Sequence, residues 1–271
     1  MNLIQPKLID RVKDKANKDV RLKHVLMYGS WANGEGDEFS DIEFWIFVEP
    51  QHLPELNKDE WLEDIASVLF HTINESGADV AIFREGLVRG EFHFVGADTI
   101  DQIRGWTGLK VTADTISKMV FLDRSGELRA ALDSLRTVSP VPKTDAEIEL
   151  LCGRFVDWLL FGTNVLKRGE LARSHVLLGI LHGYLAWMAR LDEGALDHWL
   201  TPTKGWENEL SDESVARLRE CSAIIEQDSL RKAYIETCDW GTKLIAELGR
   251  EHHFEIPSEL LAELAKRAKA V

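Results

Sequence analysis

Met27-Tyr28-Gly29-Ser30, followed after ten residues by Asp41-Ile42-Glu43-Phe44, is the stretch on which the fold turns. Arg21-Leu-Lys-His-Val-Leu-Met-Tyr28 runs into it with an apolar end that suits a buried strand. Gly29 to Ser40 is rich in Gly, Ser, Asn and Asp, so loop or turn is expected there. Asp41 to Val48 resumes as a second strand, which Pro50 ends. Residues two apart on a strand share a face, roughly 6.6 Å apart at ~3.3 Å per residue. Asp41 and Glu43 therefore project together, with Ile42 and Phe44 packed behind them.

Two aligned carboxylates in an apolar strand repel each other and lose solvation, and a divalent cation removes both costs. Hard oxygen ligands select Mg²⁺ or Mn²⁺, which keep positions open for water and phosphate oxygens. Gly29 lets backbone approach a phosphate, and Ser30 has an N–H and a hydroxyl to donate to one. A plain turn and a solvated strand edge would explain each half alone. The run Ile42-x-Phe44-Trp-Ile-Phe-Val48 instead marks a central strand, where an acidic pair needs a reason. A third carboxylate is expected at Asp79 or Glu91, since strand alternation lets either point at the site. His93 shares a face with Glu91 and reads as a satisfied structural histidine or a ligand contact.

Outward from this core, residues 3–17 place Leu3, Ile4, Leu8, Ile9 and Val12 at helical spacing. Residues 59–76 show a helical pattern through Trp61, Ile65, Val68 and Leu69, stopped by Gly77. Asp79–Phe83 and Val88–Val95 read as strands, Met119–Leu122 as one more, and 127–135 as a helix. Ser139-Pro-Val-Pro-Lys143 is a connector. Beyond it only helical patterns remain, at about 145–168, 170–193, 211–224, 228–249 and 257–269. The expected class is α+β: a mixed-sheet domain over 1–138, then a helical bundle domain over 144–271.

The chain has 271 residues, 32 Lys plus Arg against 46 Asp plus Glu, and a net charge of −14. That field disfavours nucleic acid and favours cationic small molecules. Cys152, Cys221 and Cys238 lie far apart, as structural thiols in a reducing compartment would. With no apolar run long enough for a membrane span and no signal-like N-terminus, a cytoplasmic protein is expected. Walker and dinucleotide-binding glycine motifs do not occur. Lys167, Arg168 and Arg173 form a basic cluster at a helix junction, suited either to triphosphate oxygens or to the helix C-terminal dipole.

Taken together, Met27-Tyr-Gly-Ser30, Gly34-Glu-Gly-Asp37, Ser40-Asp-Ile-Glu-Phe44, Arg89-Gly-Glu-Phe-His-Phe94 and Asn164-Val-Leu-Lys-Arg-Gly-Glu170 resemble the lincosamide nucleotidyltransferases. These antibiotic-resistance enzymes belong to the polymerase-β-like superfamily. The resemblance covers the chain to about residue 195. It implies a nucleotidyltransferase domain that moves a nucleoside monophosphate, AMP from ATP or another NTP, onto a drug hydroxyl and releases pyrophosphate. It also implies two Mg²⁺ ions, a drug pocket between the domains, and a homodimer. Asp41 and Glu43 match the family's metal ligands, and Glu91 its third carboxylate and general base. Two other readings stay open: an aminoglycoside nucleotidyltransferase, and an antitoxin-like module of the same fold acting on a partner protein.

Overall fold

The computed structural model describes residues 3–107, 109 and 111–270. The chain divides into two compact units, Met1–Ser139 and Pro140–Val271, at the Pro-containing connector.

In the first unit the chain runs α1 (Ile4–Lys18), β1 (Leu22–Tyr28), α2 (Gly29–Asn33), β2 (Ile42–Val48), α3 (Lys58–Glu63), β3 (Val68–Ile73), β4 (Asp79–Phe83), β5 (Arg89–Gly96), α4 (Ala113–Met119), β6 (Val120–Asp123) and α5 (Glu127–Leu135). A 3₁₀ segment over Ala97–Gly105 follows β5. The six strands form one sheet in the order β3-β4-β5-β2-β1-β6. β2 and β5 pair in parallel, and the other neighbours are antiparallel, so the sheet is mixed.

Alternation fixes what each sheet face carries. Ile42, Phe44, Phe92 and Phe94 are buried on one face, where Phe44 stacks on Phe92 and Trp61 meets Phe92 and Phe94 edge-on. Burying several such aromatic side chains, roughly 150–250 Å² each, supplies much of this unit's hydrophobic stabilisation. Glu43, Trp45, Arg89, Glu91 and His93 are the half-buried alternates on the other face. Polar and aromatic groups thus share one side of two central strands.

Two local expectations fail. The helical reading of 59–76 holds only for Lys58–Glu63, capped by Asn57, and Val68–Ile73 is a strand antiparallel to β4. Trp61, Ile65, Val68 and Leu69 do fall at helical spacing. The run Val-Leu-Phe-His-Thr-Ile, however, is β-branched and aromatic, and pairing with β4 outweighs the weak helix propensity. The second correction is in 29–40, where Gly29–Asn33 is a short helix whose left-handed end at Gly34 leads into the loop. Packing of buried Ala32 holds this turn despite its poor helix composition.

The second unit contains α6 (Asp145–Lys167), α7 (Leu171–Glu193), α8 (Trp206–Glu209), α9 (Asp212–Glu220), α10 (Gln227–Glu251) and α11 (Ser258–Lys269). Thr144 and Glu147 form a reciprocal capping box that starts α6. α6, α7 and α10 share a core around Phe155, Leu181, Leu185, Tyr234 and Leu248. The loop after α7 is pinned by Arg190, which is fully buried and donates to the carbonyls of Ala195, Pro202 and Lys204 and to Glu209. All three cysteines are buried and free, and burial raises Cys152 and Cys221 to about 12. No helix among the described residues is long and apolar enough to cross a membrane.

Candidate active site

β1, β2 and β5 bring the sequence-predicted acids together at one end of the sheet. In the β2–β5 register Glu43 stands opposite Glu91, and Tyr28, the last residue of β1, stands opposite Glu43. Asp41 immediately precedes β2. Gly29 follows β1 with φ +76° and opens α2. A Cβ placed on Gly29 would lie 1.5 Å from Glu43 Oε2, so the Glu43 carboxylate occupies the space a side chain would need. Glycine is required at this position on both counts. Ser30 is the next residue of α2.

Glu91 is held from three sides. Arg89 Nη2 donates to Oε2 at 2.5 Å, the Tyr28 hydroxyl donates to Oε1 at 3.0 Å, and His93 Nε2 lies 3.2 Å from Oε1. Burial pushes the Glu91 carboxyl up, but these three hydrogen bonds outweigh it and hold it below the usual range. His93 is stacked on Trp45 at 3.9 Å, and burial lowers its pKa against the pull of Glu91. The Tyr28 hydroxyl is pushed up by burial and by the charges of Glu43 and Glu91, so it stays a donor. Glu91 is therefore ionised, paired with the cationic Arg89 and flanked by a neutral tyrosine and a histidine whose protonation burial disfavours.

Asp79 lies elsewhere. Its register partner is Phe92, so it leaves the opposite sheet face from Glu91. It is 2% exposed, ion-paired to Lys58 at 2.7 Å and within 3.0 Å of His71 Nε2. Of the two third carboxylates weighed from sequence, only Glu91 shares the face of Glu43. Trp31, beside the Gly-Ser turn, packs against Gly36, where an added Cβ would come within 2.2 Å of its ring.

The acids suit a hard divalent ion by donor type and by shared face, and Gly29 leaves the backbone bare beside Glu43. Arg89 is nevertheless inserted among them, since its Nη1 also donates to Asp41 Oδ2 at 2.5 Å. Among the described residues no three His, Cys, Asp or Glu side chains are gathered closely enough to grip an ion as they stand. By donor type the carboxylates suit a divalent cation, and Arg89 now holds two of them.

Residues 144–267 match the family model described as the lincosamide nucleotidyltransferase-like C-terminal domain. Over those residues the helical unit is similar to the lincosamide nucleotidyltransferase-like proteins. Among solved structures the chain is similar to an aminoglycoside 6-adenyltransferase from Bacillus subtilis, with 14% identity, 97% of this chain and 96% of that chain covered, and a TM-score of 0.43. A nucleotidyltransferase-like protein from Exiguobacterium sibiricum 255-15 follows, with 14% identity, 97% and 88% covered, and a TM-score of 0.38. A search of curated proteins returned no match.

The basic cluster lies in the helical unit. Lys167 ends α6 and is exposed, Arg168 caps the helix, and Gly169 takes a left-handed φ of +74°. Arg173 pairs with Glu170 at 3.0 Å and lies over the Phe161 ring. Reading the sequence for acids alone passed over Tyr28 and Arg89. Strand alternation places Arg89 on the face of Glu91, and that signal was available without a structure.

Proposed function

We propose that this protein is a nucleotidyltransferase that moves a nucleoside monophosphate, AMP from ATP, onto a hydroxyl of a lincosamide antibiotic, releasing pyrophosphate and conferring resistance. The observation that carries the reading is the register pairing of Glu43 with Glu91 beside Asp41 and the bare backbone of Gly29. The match of residues 144–267 supports the acceptor class.

Asp41, Glu43 and Glu91 would hold Mg²⁺, and two such ions would hold the triphosphate and stabilise charge on the attacking and leaving oxygens. Ser30, with its N–H and hydroxyl, and the Gly29 turn bind phosphoryl oxygens, while Lys167, Arg168 and Arg173 are the candidates for neutralising departing pyrophosphate. Glu91 accepts the proton of the acceptor hydroxyl as that oxygen attacks the α-phosphorus. The bond to pyrophosphate breaks in line, and its electron pair leaves with pyrophosphate. Tyr28 and His93 orient Glu91 and keep it ionised. A cytoplasmic homodimer belongs to the same proposal.

Incubation with ATP, Mg²⁺ and lincomycin or clindamycin, read by mass spectrometry, tests the reading. The expected product is the drug carrying one nucleoside monophosphate. An adduct on aminoglycosides alone would reassign the acceptor, and the net charge of −14 suits that cationic class as well. Modification of a co-purifying protein in place of any drug would revive the antitoxin-like reading.

A further inference from the structure

Arg89 spans two of the three acids, donating from Nη1 to Asp41 and from Nη2 to Glu91, each at 2.5 Å. A planar guanidinium is the side chain best shaped to hold two carboxylates at once. It relieves the repulsion that Asp41, Glu43 and Glu91 would otherwise suffer on one sheet face. The same oxygens are those a divalent ion would need. A guanidinium and a dication cannot both occupy them, since each repels the other and both claim the same lone pairs.

Arg89 also has somewhere to go. Its side chain is 38% exposed, against 15% for Glu91. It borders an open cavity of about 460 Å³, whose lining includes Gln5, Phe39, Ser40 and Val88. Strand β5 fixes its backbone, but the long side chain can swing from the acids without disturbing the sheet.

We propose that Arg89 is a resident counter-cation. It occupies Asp41 and Glu91 in the nucleotide-free chain and competes with the divalent ion, until triphosphate oxygens offer it another partner. This rests on the metal reading given above. Divalent-ion affinity is therefore weak without nucleotide and rises with it, and by linkage the ion strengthens nucleotide binding equally. Arg89 acts here as a positioning residue.

The test is Mn²⁺ binding to the full chain without nucleotide, read by electron paramagnetic resonance and equilibrium dialysis, with circular dichroism confirming the fold. Arg89→Gln is expected to bind Mn²⁺ at least about tenfold more tightly than the unaltered protein. Arg89→Lys keeps the charge but loses the fork, and is expected in between. Should Arg89→Gln not fold, Arg89→Lys decides: tighter binding supports the proposal and unchanged binding overturns it. Equal affinity in the unaltered chain and Arg89→Gln, with binding lost in Asp41→Asn, would overturn the role of Arg89 and leave the metal site standing. No Mn²⁺ held by any form, even with a non-hydrolysable ATP analogue, would overturn both.

Discussion

Glu43 and Glu91 are direct register partners across the parallel pairing of β2 and β5, so both carboxylates leave the same face of the sheet. Neighbouring strands lie roughly 4.8 Å apart, which sets the spacing of the two backbones. Asp79, paired with Phe92, leaves the other face. Glu91→Gln is expected to cut transfer by about 10²–10⁴-fold, the range for losing a general base, and to lose turnover more than nucleotide binding. Asp79→Asn is expected to retain transfer and lose stability, because Lys58 and His71 keep a weaker partner. Single-turnover rates and urea midpoints for the pair decide the matter. Full activity in Glu91→Gln would remove its role as base.

Gly29→Ala tests the contact between the turn and Glu43. The new Cβ meets Glu43 Oε2 at 1.5 Å, and φ +76° adds roughly 1–2 kcal/mol of backbone strain. The Glu43 carboxylate must move, and a displacement of about 1 Å is enough to lose roughly 10²-fold in rate. We expect at least that loss, with a folded protein by circular dichroism. Activity within a few-fold of the unaltered chain would show that Glu43 need not sit over Gly29.

What the sequence disclosed, and what it withheld, follows from the range of the forces involved. Leu22–Tyr28 and Ile42–Val48 were legible because apolar residues dominate them, as central strands require. The helices of the second unit were legible because their apolar spacing runs for many turns. Val68–Ile73 was not, since its strand character depends on β4, a partner that no local period encodes. Asp41, Glu43 and Glu91 stand out as candidates by residue type and alternation. Choosing between Asp79 and Glu91 needed the β4–β5 register, a contact between strands.

Acidic pH should weaken the fold through its buried histidines. Burial lowers the pKa of His24, His93 and His182, against partial compensation from Asp123, Glu91 and the Cys221 carbonyl. Each histidine in the unfolded chain titrates near the ordinary value of about 6.5. Above that pH both states are neutral and the histidines contribute no slope. As pH falls through about 6.5, the unfolded chain takes up protons that the folded chain refuses, so stability declines until the lowered folded values are passed. Each group adds at most about 1.4 kcal/mol per pH unit. Urea midpoints should hold steady from pH 8 to 7 and fall towards pH 5. His93→Gln is expected to make that fall shallower, and a flat profile would count against buried neutral histidines.

In the helical unit the most consequential side chain away from the candidate site is Arg190. It is wholly buried, and its guanidinium satisfies three carbonyls of the loop after α7 as well as Glu209. Arg190→Met keeps much of the volume but strands those acceptors and takes from Glu209 the cation it shares with His198. Removing one member of such a buried network costs about 3–5 kcal/mol. Since the segment 194–205 has little regular structure, the loss should appear first as opening of that loop, ahead of global unfolding. Limited proteolysis should therefore cut the variant near residues 194–205 where the unaltered chain resists. The pairing of Glu43 with Glu91 belongs to the other unit and should keep its ion binding, so Mn²⁺ affinity is expected to stay within about twofold. A variant as stable and as protease-resistant as the parent would show that the carbonyls of Ala195, Pro202 and Lys204 are satisfied by water once Arg190 is gone.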